Sequence, residues 1–93
     1  MCVVCRKCVV SGRVQGVYYR ATAAQRARQS GITGHARNLS DGRVEVLACG
    51  PESEVAAFVE WLWTGSSASK VTSVEVTAIP VTANHLPAKF ETG

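Results

Sequence analysis

The segment Gly12-Arg13-Val14-Gln15-Gly16-Val17-Tyr18-Tyr19-Arg20 leaves a β-branched run and enters a stretch rich in Ala, Gln and Arg. A glycine-punctuated turn of this kind lets successive backbone N–H groups converge on one point, and a helix that begins there adds partial positive charge. The chemistry it suits is the binding of a small anion. Arg20 falls in the first turn of the predicted helix, where a planar guanidinium can grip a phosphate with two N–H groups, as lysine cannot. The nucleotide-binding pattern GxxxxGK[ST] is absent, so this is not a P-loop. On spacing alone, the plainer reading carries more weight: a strand-to-helix connection with a surface arginine.

The remaining residues of chemical interest are cysteines and histidines. Cys2, Cys5 and Cys8 are spaced like metal knuckles, but a structural zinc site needs four ligands, usually as two pairs. Cys49 stands alone, and His35 and His85 are far apart in sequence, so neither a zinc site nor an iron–sulfur cluster is expected. Both histidines read as structural or surface residues, Cys8 as a core thiol and Cys2 as a tail residue. Trp61 and Trp63 straddle an apolar helical stripe, where packing is the simpler role than ligand stacking.

These residues must be carried by regular elements. Residues 3–11 read as a strand bounded by Gly12, with Val4, Cys8 and Val10 on one face and Cys5, Lys7, Val9 and Ser11 on the other. A helix is predicted over 18–30, with Val17, Ala21, Ala24 and Ala27 or Arg28 on one side and Gly31 as its C-terminal cap. Two strands over 33–39 and 43–49 are joined through Leu39-Ser40-Asp41-Gly42, and Asp-Gly is a strong hairpin signal. Pro51, Glu52 and Glu54 suit a helix start, and Val55, Phe58, Val59 and Leu62 make an i, i+3, i+4, i+7 stripe, so a second helix runs over 52–63. A polar loop over 65–69 precedes a strand over 71–79, stopped by Pro80. Residues 81–87 read as irregular, and Lys89-Phe90-Glu91 as a short fifth strand at most.

The order β-α-β-β-α-β, with right-handed crossovers, gives a single α+β domain over 1–93: a ferredoxin-like, split β-α-β sandwich. Its antiparallel sheet has order 4-1-3-2, with both helices on one face. Ninety-three residues at 46 % hydrophobic and 18 % charged suit one globular domain with a modest core. The net charge of +3 suits an anionic substrate without calling for nucleic acid, since no basic run exceeds Arg6-Lys7. No apolar stretch reaches the length of a membrane span, and no basic leader precedes an apolar core at the N-terminus. A soluble, cytoplasmic monomer is expected, with no membrane partner.

Together, Gly12 to Arg20, then Gly31-Ile32-Thr33-Gly34-His35-Ala36-Arg37-Asn38-Leu39-Ser40-Asp41-Gly42-Arg43-Val44-Glu45-Val46, then Cys49-Gly50, resemble the acylphosphatase family. That family's pattern is roughly GRVQGVxFR, then GxxGxVxNxxDGxVE, then a glycine before the second helix. The similarity runs from about Val9 to Val76, and two linked motifs at the right separation are far more specific than either alone. The resemblance implies hydrolysis of the carboxyl-phosphate bond of acyl phosphates without any cofactor or metal. It implies that Arg20 binds the phosphate, that Asn38 positions the attacking water, and that the amides of Gln15, Gly16, Val17, Tyr18, Tyr19 and Arg20 form the phosphate cradle. Inorganic phosphate would be product and competitive inhibitor. Tyr18 stands where the family varies and is often small, Tyr19 replaces a commoner Phe, and Leu39 follows Asn38 where some members have Thr. With no obvious general base, the substrate's own phosphate is the expected acceptor of the water's proton.

Two other functions are weighed against this one. A non-catalytic, acylphosphatase-like binding module is the alternative, because ferredoxin-like domains host many functions; the presence of both Arg20 and Asn38 favours the enzyme. An RNA-binding domain of this topology would carry stacking aromatics on its sheet, and strands 1 and 3 carry none. The topology also pairs the start of strand 1 with the end of strand 3. Cys5 and Cys49 then lie side by side on the helix-free face, where they can form a disulfide; two reduced thiols are the alternative.

Overall fold

The computed structural model describes residues 3–16, 18–66, 68–80 and 89–92. Val3–Arg13 forms β1, Tyr19–Gln29 α1, Thr33–Asn38 β2, Val44–Pro51 β3, Glu52–Leu62 α2, Lys70–Ile79 β4 and Phe90–Thr92 β5. The sheet order is β4-β1-β3-β2-β5. The first four strands pair antiparallel, as the crossover argument requires, and β5 adds to β2 in parallel, so the sheet is mixed rather than antiparallel throughout. Helix α1 packs on β2 and β5, and α2 on β1 and β3. The irregular reading of 81–87, with His85, lies outside the described residues, as does Cys2. Among the described residues no helix is long and apolar enough to cross a membrane.

One strand end differs usefully from expectation. β1 does not stop before Gly12 but continues to Arg13, after a register shift against β4 between Ser11 and Gly12. Gly12 has φ +120°, and a Cβ there would collide with the backbone oxygen of Lys70. Only glycine accepts both the backbone angle and the close approach, and a bulge of this kind re-aims the chain that follows it. The strand therefore delivers residues 14–16 at a defined place beyond its end in the sheet.

The core lies between the sheet and the helices. Cys8, Val10, Val44, Val46, Ala48 and Ala36 supply the sheet side. In α2 the expected stripe is buried at Val55, Phe58 and Leu62. In α1 the buried residues are Tyr19, Ala23, Ala24 and Ala27. Ala24 and Ala27 are buried as expected, with Ala27 rather than Arg28 on the face; Ala21 is exposed, which corrects that position, and Tyr19 and Ala23 complete the face. The reason is the anchor: Tyr19 is the one large side chain of the helix face, and 19, 23 and 27 repeat every four residues from it. Helix α1 ends at Gly31, where φ is +70°; the Ile32 N–H donates to Ala27 O at 2.8 Å and the Gly31 N–H to Arg28 O at 3.4 Å. This is the 6→1 and 5→2 pattern that a left-handed residue makes possible.

β5 is held through Phe90. Phe90 is 1 % exposed and meets Phe58 edge-on at 5.9 Å, while the Arg28 guanidinium donates to Phe90 O at 3.0 Å. Trp61 stacks on Phe58 and Tyr19, so it packs, as expected; Trp63 is exposed at the end of α2. Burial pushes the Cys8 thiol up to about 11, consistent with an unreactive core thiol.

On the helix-free face His35 Nε2 meets Glu45 at 2.9 Å and Lys7 meets it at 3.6 Å, so His35 is a partner in a surface cluster. The hydrogen bond from His35, and then the Lys7 charge, hold the Glu45 carboxyl below its ordinary range. On this face Cys5 and Cys49 are direct partners in the β1–β3 register, with Cα atoms 4.1 Å apart and their sulfurs at disulfide distance. A bridge there would close a loop 44 residues in sequence, worth roughly 4 kcal/mol by constraint of the unfolded chain. Protein purified in air is expected to give a Cys5–Cys49 linked peptide by mass spectrometry. Its urea midpoint should fall on reduction by an amount equivalent to about 2–4 kcal/mol. An unchanged midpoint after complete reduction would show that the bridge does not constrain the chain.

Candidate active site

Topology brings the two glycine-containing motifs of the sequence to one end of the sheet. β1 and β2 both pair antiparallel with β3, so they run parallel to each other on its two sides. Val10 of β1 and Asn38 of β2 are both partners of Val44. Neighbouring strands lie about 4.8 Å apart, so the chain leaving β1 emerges two strand spacings from the end of β2, with β3 between them. The turn after β1 and Asn38 thus lie at the same end of the sheet although they are far apart in sequence.

The described residues between β1 and α1 are Val14, Gln15, Gly16 and Tyr18. Gly16 has φ +73° and Tyr18 has φ +61°, so the turn is left-handed at two of its described positions. Tyr18 is the N-cap residue, and its carbonyl accepts from the Thr22 N–H at 3.0 Å and the Thr22 hydroxyl at 2.8 Å. Tyr19 is buried at 1 % exposure, and its hydroxyl donates to Leu62 O at 2.7 Å. Burial also raises its phenol well above the usual range. The Tyr19 side chain therefore ties α1 to α2, which leaves only its backbone for a ligand.

A cavity of about 380 Å³ opens at this helix start, lined among others by Val14, Gly16, Tyr18, Tyr19, Arg20 and Thr92. Arg20 is half-buried in the first turn of α1 and makes no hydrogen bond or ion pair among the described residues. An unpaired guanidinium beside a helix N-terminus gives the cavity a positive character suited to a small, multiply charged anion. Val17 lies outside the described residues. Asn38, the last residue of β2, is exposed and is not among the residues lining the cavity.

A side chain connects the two regions. The Gln15 amide Nε2 donates to Leu39 O at 2.8 Å and to Arg43 O at 3.0 Å. Leu39 directly follows Asn38, and Arg43 closes the hairpin, with its own N–H held by Asp41 Oδ1 at 3.1 Å. Gln15 thus ties the turn after β1 to the β2–β3 hairpin. Sequence reading credited Gln15 only with its backbone amide; a long amide side chain set in a tight, glycine-flanked turn was the available signal. Thr92 was missed altogether, because it reaches the cavity only through the parallel pairing of β5 with β2. Among the described residues no group of three or more His, Cys, Asp or Glu side chains could hold a metal ion.

The acylphosphatase family model matches residues 6–92. The chain belongs to the acylphosphatase family. An acylphosphatase of Chromohalobacter salexigens is 58 % identical over 71 residues, covering 76 % of this chain and 79 % of the relative. One of Halorhodospira halophila is 51 % identical over 87 residues, covering 94 % and 91 %. Among solved structures, the acylphosphatase from Bacillus subtilis superposes with a TM-score of 0.89 at 38 % identity, covering 97 % of this chain and 98 % of that one. Sequence and fold agree over nearly the whole length, and the chain is accordingly an enzyme, an acylphosphatase.

Proposed function

We propose that the chain hydrolyses the carboxyl-phosphate bond of acyl phosphates at the start of α1, acting as a single domain over 1–93, a monomer and a cytoplasmic enzyme. The observation that carries this reading is the Arg20 guanidinium, unpaired among the described residues, on a cavity at a helix N-terminus. Arg20 and the amides of residues 15–20 hold the phosphoryl oxygens. Asn38 offers one acceptor and two donors, which orient a water without taking its proton. The water attacks phosphorus in line with the departing carboxylate, the P–O bond to the acyl carboxylate breaks, and the water's proton passes to a phosphoryl oxygen. The products are a carboxylate and inorganic phosphate. A carboxylate is a weakly basic leaving group, so positioning and charge stabilisation suffice, and no protein general base is required.

The test is hydrolysis of benzoyl phosphate in excess EDTA, beside a simple phosphate monoester. Undiminished turnover of the acyl phosphate, competitive inhibition by inorganic phosphate and little monoester hydrolysis are expected. Activity lost on chelation and restored by added metal would overturn the reading, as would equal rates on the two substrate types.

A further inference from the structure

We infer that Tyr18 is the specificity-determining residue of this site and selects acyl phosphates whose acyl group is aromatic; the inference rests on the reading of the cavity as the phosphoryl site. The geometry is unusual for a tyrosine. Its backbone is left-handed at φ +61° and ψ 18°, a conformation that disfavours residues with a side chain and suits glycine. Its ring is 83 % exposed, so it contributes little to the core in return. Folding alone would be better served by glycine. A strained backbone retained at the edge of a site is expected where the strain places a group for the ligand.

The backbone placement is also fixed. The two bonds that the Tyr18 carbonyl accepts from Thr22 anchor the residue at the first turn of α1. Tyr18 lines the same cavity as Arg20, two residues on. A phosphate held by Arg20 turns its acyl group toward solvent, and of the two aromatic residues that line the cavity Tyr19 is buried and Tyr18 is exposed. The acyl group therefore leaves past the Tyr18 ring. An exposed phenol ring offers a flat apolar face with an electron-rich π surface, to which another aromatic ring adds by offset stacking. A methyl group offers too little area to gain from it.

Phenylphosphonate and methylphosphonate serve as probes, since they share the phosphonate dianion and differ in the group it carries. Their Kd values are measured by calorimetry for the wild type, Tyr18→Ala and Tyr18→Phe. The ratio of the two Kd values is the readout, because any change to the cradle itself affects both ligands and cancels. The wild type is expected to prefer phenylphosphonate by about fivefold, Tyr18→Phe to keep that preference, and Tyr18→Ala to lose it. The same ratio in all three proteins would overturn the inference, and so would loss of the preference in Tyr18→Phe. Wild-type hydrolysis of benzoyl phosphate is followed in parallel. Its absence would sink the proposed function, while the binding ratio would still decide whether Tyr18 reads the ring.

Discussion

Arg20→Lys is expected to lower kcat/KM for benzoyl phosphate by about 100- to 1000-fold, the loss typical when one strong, preorganised donor set is removed from a developing charge. Lysine keeps the positive charge, so a smaller effect would follow if charge alone mattered. The guanidinium differs in its geometry: two parallel N–H groups can meet two phosphoryl oxygens at once, whereas an ammonium is a point charge on a flexible stem. The fold should survive, because Arg20 makes no bond among the described residues that a lysine would break, and lysine is an equally good helix former. Inorganic phosphate should inhibit the variant much more weakly. Steady-state kinetics beside a thermal melt check both halves. Near-normal kinetics would remove Arg20 from the site, and a collapsed melting temperature would show that its role is structural.

Where the sequence was readable, a strong local pattern decided the matter. The spacing of Val55, Phe58 and Leu62 leaves no doubt about the buried face of α2, and all three are buried. The Cys5–Cys49 register followed from strand order and side-chain parity, and it is the register found. Where reading failed, the deciding contact was remote. The four alanines of α1 fit more than one face, and the choice is made by Tyr19 reaching Leu62 on the other helix. The extension of β1 past Gly12 depends on backbone approach to Lys70, which no local pattern records. β5 has three residues and no periodicity to read; it is placed by remote partners, Phe58 against the Phe90 ring, Arg28 on the Phe90 carbonyl and β2 along its edge. The site divides in the same way. Arg20, which lines the cavity, sits in a motif that is local in sequence, while Thr92 and the side-chain bonds of Gln15 depend on partners across the fold.

Those bonds set the expectation for Asn38. Asn38→Ala should lower kcat by about 100-fold and change KM by far less, since a contact to the attacking water counts most in the transition state. Gln15 touches the same function from behind. Its amide bonds carbonyls on both sides of the hairpin turn, the nearer one belonging to the residue after Asn38. The hairpin does not depend on Gln15 for its own closure, because the Leu39 N–H donates to Arg43 O at 2.8 Å and the Gly42 N–H to Leu39 O at 3.2 Å. Removing the Gln15 amide should therefore leave the hairpin formed but loosen its tie to the turn that precedes α1. Gln15→Ala is expected to lower kcat about tenfold while a thermal melt moves little. A double-mutant cycle separates this from a general weakening of the site. If Gln15 acts through the placement of Asn38, then Gln15→Ala made in the Asn38→Ala background should cost almost nothing further in kcat. A full tenfold loss in that background would instead assign Gln15 a role independent of Asn38, through the turn itself. A change confined to KM in Asn38→Ala would move Asn38 from the water to the substrate.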